Sequence, residues 1–149
     1  MKIAIGSDHA GLRFKAYLSE SLAGRGYEVL DLGTHSKDSC DYPDFALAVG
    51  RAVTSGKAAL GILICGTGIG MSIAANKVPG VRAALVHDPL TAKLAREHND
   101  ANVLCLGARL LAVEYGLELV LTWLGAQYEV RHGRRLQKIS AFERPGAPT

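Results

Sequence analysis

The 149-residue sequence contains only three cysteines, Cys40, Cys65 and Cys105, an odd number with no C-x-x-C pair. That argues against a disulfide framework and a structural zinc site, and fits reduced thiols in a reducing compartment. No apolar run approaches the roughly 18 residues that cross a bilayer, and the Met1-Lys2 start enters an apolar strand pattern rather than a signal-peptide layout. A soluble cytoplasmic protein with no membrane partner is expected. The five histidines, His9, His35, His87, His98 and His132, show no H-x-x-x-H or H-E-x-x-H spacing, so no metal is expected. Aromatic residues make up only 6% and no RNP-like strand occurs, which puts nucleic acid well below a small phosphorylated ligand. The formal charge of +3 is too small to suggest a polyanion, although Arg131, Arg134, Arg135, Lys138 and Arg144 gather near the end.

With 48% hydrophobic residues the chain has the composition of one compact domain. Apolar runs of strand length alternate with helical periods, the signature of an α/β fold around a parallel sheet. Five strands are expected at Lys2 to Gly6, Glu28 to Leu32, Leu60 to Cys65, Arg82 to Val86 and Val103 to Gly107. Core faces of helices are expected at Phe14, Leu18 and Leu22, at Leu90 and Leu94, and at Leu117, Val120, Leu121 and Leu124. Gly24 and Gly26 suit a helix end, while Asp41-Tyr42-Pro43 and Asp88-Pro89 suit helix starts. The residues from Arg144 onward read as a frayed tail, with 145–149 flexible.

In open α/β sheets ligands bind at the carboxyl ends of the strands. Polar clusters follow four of the expected strands: Ser7-Asp8-His9, Gly66-Thr67-Gly68 with Gly70, His87-Asp88, and Arg109. The sharpest of these signals is Ile62 to Ser72, an apolar strand that ends in Cys65 and passes through three glycines into a helix. Backbone N–H groups crowded in such a turn hold phosphate, or the oxyanion that develops when a carbonyl becomes an enolate. A thiol at the edge of that positive field suits a base or nucleophile, although a buried structural cysteine is an equal reading. A Walker loop fails for want of Gly-Lys-Ser/Thr. A dinucleotide fingerprint comes closer, with its third glycine displaced to Gly70 and Asp88 as the ribose-binding acid, and leaves a nucleotide-sensing module as a rival.

His98 follows a helical stripe and is either a dipole-favoured helix end or an acid or base at the sheet rim. Asp8-His9 is either a helix cap or a hydrogen-bonding pair for sugar hydroxyls. If the last segment is helical, Arg131 and Arg135 share one face and grip a phosphate; a solvated basic face is the alternative.

Several motifs occur together and in order: Gly6-Ser7-Asp8-His9-Ala10-Gly11, Asp41-Tyr42-Pro43, Gly61 through Gly70, Ala74-Ala75-Asn76-Lys77, Arg96-Glu97-His98-Asn99-Asp100 and Gly107-Ala108-Arg109. They resemble the ribose-5-phosphate isomerase B family, which includes galactose-6-phosphate isomerase subunits and allose-6-phosphate isomerases. The resemblance runs from Lys2 to about Arg144. It implies a single Rossmann-like three-layer domain with a C-terminal helix, and a cofactor-free aldose-ketose isomerase acting on a phosphorylated sugar. It also implies a homodimer, or a higher oligomer built on it, whose sites draw residues from both chains.

By position, Cys65 resembles the base that moves a proton between C2 and C1. Other members use a glutamate where this chain has Met71. Gly66, Thr67, Gly68, Ile69 and Gly70 resemble the turn around the enediolate, with Thr67 near the thiol. His98 with Asp8 resembles the ring-opening pair, and Asn99 and Tyr42 resemble sugar contacts. His9, Arg109, Arg131 and Arg135 resemble the phosphate grip. The tail departs from the family pattern: only Val130 stands between Glu129 and Arg131, and Gly133 replaces a residue that is often Gln. Arg134 therefore stays open as a substitute for Arg131 or Arg135. Ribose 5-phosphate is the first expected substrate, with six-carbon sugar phosphates and a non-catalytic sugar-phosphate or nucleotide-binding module as alternatives.

Overall fold

The structure, a computed structural model, describes residues 1–143; the expected flexible tail lies outside them. Five strands, β1 (Lys2–Ser7), β2 (Glu28–Asp31), β3 (Leu60–Cys65), β4 (Ala83–Leu85) and β5 (Val103–Gly107), form one parallel sheet in the order β2-β1-β3-β5-β4. All five expected strands are present. The central three carry only buried residues apart from Lys2, as strands covered on both faces must. β4 is shorter than expected because it lies at the edge and its first expected residue, Arg82, donates its N–H to the Asn102 side chain at 2.8 Å.

Six helices accompany the sheet among the described residues: α1 (Leu12–Ala23), α2 (Tyr42–Thr54), α3 (Ile69–Ala75), α4 (Pro89–Glu97), α5 (Val113–Gly125) and α6 (Gly133–Phe142). Strand side chains alternate between faces. Ile3, Ile5, Ile62, Ile64, Leu104 and Leu106 join Phe14, Leu18, Leu22 and Trp123 in one core with α1, α4 and α5. Ala4, Leu63, Cys65 and Cys105 face the other way, with Val49, Met71 and Ala75 from α2 and α3. These two cores give the expected three layers.

The helix signals work as their chemistry requires. Gly24 caps α1, Pro43 sits in the first turn of α2, and the Asp88 carboxylate accepts the Thr91 N–H at 2.8 Å to start α4. One expected core position is wrong. Leu90 is 64% exposed, because α4 buries the small residues Ala92 and Ala95 and turns its first-turn leucine outward. On α5, Trp123 is fully buried and donates its ring N–H to the Ala101 carbonyl at 3.2 Å. Truncating it to alanine removes the largest side chain of that core, a change that costs about 3–5 kcal/mol in comparable sites.

The ends of β1 and β2 are tied together beside the sheet's switch point. Lys15 of α1, almost fully buried, pairs with Asp31. The other Asp31 oxygen accepts the Gly33 N–H at 2.9 Å, and Gly33 and Thr34 bond to the Ser7 backbone at 2.6 Å each. A buried ammonium needs this partner, and the pairing fixes the chain that follows β2 against the end of β1.

Candidate active site

β2 lies on one side of β1 and β3 on the other, so the chain reverses its direction of travel across the sheet between β1 and β3. A crevice opens at the carboxyl ends of strands at such a point. Asp8 follows β1 there and is 7% exposed; its Oδ1 accepts the N–H groups of Ala10 and Gly11 at 3.0 and 3.2 Å. Both bonds fall on one oxygen, so Asp8 is the helix cap and its Oδ2 takes no part in the capping. His9 accepts the Cys40 N–H on Nδ1 at 3.3 Å, which leaves Nε2 as its donor when the ring is neutral.

Cys65 ends β3 and is 5% exposed. The chain turns sharply after it. Gly68 has φ = 78°, and its N–H donates to the Cys65 sulfur at 3.1 Å. A side chain at Gly68 would be strained by that φ and would meet Leu85 at 2.5 Å, so the turn that aims an amide at sulfur requires glycine. Ile69 N–H donates to the Thr67 hydroxyl at 3.3 Å. Two of the turn's amides are thus already engaged, one by the thiol and one by Thr67. The turn is pinned to the end of β5, where Ala108 and Arg109 donate their N–H groups to the carbonyls of Cys65 and Gly66 at 2.8 and 2.9 Å. The Arg109 guanidinium lies over Gly66, where a Cβ would come within 3.2 Å of it, and the Tyr42 ring covers Gly70.

Burial pushes the thiol of Cys105, in mid-strand on β5, far above the ordinary thiol range, with the neighbouring Cys65 adding to the effect. Cys105 is sealed in the sheet, whereas Cys65 sits at a strand end with an amide donor on its sulfur. Met71, the position the resemblance gives to a glutamate in other members, is fully buried in the α2 and α3 core.

The remaining expected residues are not at this rim. His98 caps the carboxyl end of α4, and the chain then turns at Asp100 (φ = 44°) and enters β5 from its amino end. The Gly61 N–H, at the start of β3, bonds to Asn102 O, whereas Cys65 at the end of β3 pairs with Gly107 at the end of β5. At about 3.3 Å per residue, the length of β5 separates His98 and Asn99 from the thiol of the same chain by about 13 Å or more. His98 is both a helix end and a rim residue, but the rim is the opposite one.

A second group surrounds it. The Glu129 N–H donates to the Glu97 carbonyl at 2.8 Å, which brings the last segment under α4. The His98 and His132 rings then stack with centroids 4.3 Å apart and planes 29° from parallel. Arg131 lies in a 3₁₀ turn ahead of α6 and donates through Nε to Glu129 at 2.6 Å; Arg135, in α6, donates to His132 Nδ1 at 2.8 Å. Arg131 and Arg135, rather than Arg134, thus make the contacts around His98. His132 and Glu129 were visible in the sequence only as neighbours of the arginines. The i, i+3 spacing of His132 and Arg135 is the one signal that links them.

His98, Glu129 and His132 bring three potential metal ligands within 4.8 Å of one another, a cluster that spacing did not foretell. The charges around it oppose a cation. Arginine only donates, so His132 Nδ1 is the acceptor and the neutral ring carries its proton on Nε2, the atom a metal would need. Glu129 is already held by Arg131, which keeps its carboxyl below the ordinary glutamate range. The cluster is a stacked pair of imidazoles and a carboxylate, with His132 and Glu129 each held by an arginine.

The dinucleotide reading meets a topological obstacle. Asp88 lies beyond the edge strand β4, with β5 between it and the glycine turn, and Thr91 occupies both its oxygens. A ribose-binding acid belongs on a strand next to the turn.

Comparison with known proteins agrees with this geometry. A family model described as Ribose/Galactose Isomerase matches residues 3–139. Ribose-5-phosphate isomerase B of Escherichia coli (strain K12) is 49% identical over 143 residues, covering 95% of this chain and 96% of that protein. The structure of ribose-5-phosphate isomerase B from Clostridium thermocellum superposes with a TM-score of 0.94 at 53% identity, covering 96% of this chain and 97% of its own. The Mycoplasma genitalium ribose-5-phosphate isomerase B, with bound ribulose-5-phosphate, gives 0.91 at 47% identity and covers 95% of both chains. A parallel sheet that brings a thiol to a glycine turn, matched along almost its whole length, places the chain in the ribose/galactose isomerase family, and it is an isomerase.

Proposed function

We propose that the protein interconverts ribose 5-phosphate and ribulose 5-phosphate, with Cys65 as the base that carries the proton. The observation that carries this reading is the 3.1 Å bond from Gly68 N–H to the Cys65 sulfur, which fixes a nearly buried thiol against the backbone of the glycine turn. Relatives named for this reaction support the substrate, including one whose structure holds ribulose-5-phosphate.

Ribose 5-phosphate enters as a furanose. Ring opening breaks the C1–O4 bond: O4 gains a proton and the C1 hydroxyl loses one, leaving the aldehyde. His98 and Asp8 carry this step. The Cys65 thiolate then takes the C2 proton, and the resulting enediolate is held by the backbone of the Gly66–Gly70 turn, with Thr67 beside it. The proton returns to C1, O1 gains a proton and O2 loses one, which gives the ketose. His9, Arg109, Arg131 and Arg135 hold the phosphate, whose binding energy fixes the sugar chain against the thiol. Tyr42 and Asn99 flank the sugar. No step calls for a redox or metal cofactor.

Because His98, Asn99, Arg131 and Arg135 gather at one rim and Cys65, Asp8, His9 and Arg109 at the other, one chain holds two half-sites. A homodimer in which each half-site meets the other chain's complement resolves this. The surface supports a second copy: a groove of about 1110 Å³ runs along the edge strand β4 to α6, lined by Leu85, Leu94, Leu136 and Ile139. Within α6 no residue is buried, and Phe142 is 71% exposed. An apolar groove beside an edge strand is a surface that soluble chains cover.

The test is NMR of the protein with ribose 5-phosphate in D2O. Ribulose 5-phosphate is the expected product, and its deuterium content reports how far solvent reaches the proton on sulfur. No product from ribose 5-phosphate, but turnover of allose 6-phosphate or galactose 6-phosphate, would move the assignment to a six-carbon sugar. No product from any of them would leave a non-catalytic sugar-phosphate binder.

A further inference from the structure

His132 has no role in the chemistry above, yet it is 7% exposed and lies directly against the ring-opening group. Its Nε2 is buried without a hydrogen-bond partner, with the nearest Glu129 oxygen 3.6 Å away. A buried polar atom left short of a partner is a cost, and it needs a compensating use. Two contacts point to one. The flat ring packs on His98, 4.3 Å between centroids, and its Nδ1 accepts from Arg135 at 2.8 Å.

We propose that His132 is a positioning residue for ring opening, holding the His98 imidazole by its face while being held itself by Arg135. This rests on the reading of His98 as the ring-opening group. Arg135 spends one N–H on His132 and keeps the rest of its planar fork for the phosphate. The group that grips the phosphate and the group that opens the ring are thereby joined through a single side chain, so the phosphate end of the substrate sets the position of the acid at its ring. Burial, with the charges of Arg131, His98 and Arg135, holds His132 below the ordinary histidine range. A neutral His132 lets His98 take up and release its proton without facing a second imidazolium, and the carboxylate nearest His132, Glu129, is paired to Arg131.

The test is a double-mutant cycle on turnover of ribose 5-phosphate by the full chain: wild type, His132→Ala, His98→Ala and the double variant, each checked for native circular dichroism and subunit state. Misplacing a catalytic group by a fraction of its length costs about 10- to 100-fold, so His132→Ala is expected to lower kcat by that factor with a much smaller change in KM. If His132 acts through His98, the double variant is no slower than His98→Ala alone. His132→Phe keeps the stacked face but not the acceptor for Arg135. Its kcat is expected between those of wild type and His132→Ala, and it carries the same cycle should the alanine variant fail to fold. Losses that multiply in the double variant, or a His132→Ala enzyme with wild-type kcat, overturn the inference. Wild-type protein that leaves ribose 5-phosphate unchanged, or a fully active His98→Ala enzyme, instead overturns the reading of the site on which it rests.

Discussion

The backbone N–H of Gly68 points at the sulfur of Cys65 from 3.1 Å, and the φ of 78° that aims it is one only glycine adopts easily. Thiol and amide donor are therefore parts of one turn. Replacing Cys65 with alanine is expected to lower kcat by about 10²- to 10⁴-fold or more, the usual contribution of a positioned base. Binding of ribulose 5-phosphate, followed by calorimetry, should change little. Gly68→Ala should also slow turnover with the thiol still present, because a Cβ there meets Leu85 at 2.5 Å and the turn must shift. Wild-type kcat in either variant contradicts the assignment.

The proposed phosphate grip separates three neighbouring arginines. Arg135 reaches His132 and Arg131 reaches Glu129 beside the His98 ring. A charged hydrogen bond to phosphate is worth about 1.5–3 kcal/mol, so Arg135→Ala is expected to raise KM for ribose 5-phosphate by about 10- to 100-fold. Arg134→Ala should leave KM within about twofold, as an exposed substitution outside the network does. The reverse order of effects would place the tail's register one residue away.

His132 gives the fold a pH dependence whose sign follows from its surroundings. Its folded pKa lies below the ordinary 6.5, chiefly through burial, and then through Arg131, His98 and Arg135. Above 6.5 the ring is neutral both folded and unfolded, and its contribution to stability is whole. As the pH falls below 6.5 the unfolded chain takes up the proton first, so stability declines until the folded pKa is passed. Glu129 is also lowered, from 4.5, so its own loss begins only at more acid pH. Melting temperatures recorded from pH 8 to pH 5 should therefore fall more steeply for wild type than for His132→Phe. Parallel curves would show that His132 is not held neutral by the fold.

The strands were legible because those between covering helices must be apolar throughout, as Leu60 to Cys65 is, and helix starts were legible because Asp88 and Pro89 leave local marks. Leu90 was misread because a helical period marks a face without saying which neighbour covers it; α4 packs through two alanines. The glycine turn and Cys65 were legible for the same local reason, the whole feature lying within eleven consecutive residues. His98 and Arg135 were legible as residue types but not as neighbours. Thirty-seven positions apart, they are joined by His132 and by one backbone bond between Glu129 and Glu97, and nothing in the intervening sequence announces either contact. Nor did order along the chain reveal that β5 would run between His98 and Cys65 and hold them at opposite rims.

That separation is the centre of the account, and subunit mixing tests it directly. Cys65→Ala and His98→Ala proteins are each expected to be nearly inactive. Unfolded together in equal amounts and refolded, the chains of the proposed dimer pair at random, half of the dimers mixed. Each mixed dimer holds one site with Cys65 from one chain and His98 from the other, so about a quarter of the wild-type activity should return. If each site lay within a single chain, every site in every dimer would lack one of the two groups. The mixture would then be no more active than its components, and the shared-site reading would be wrong.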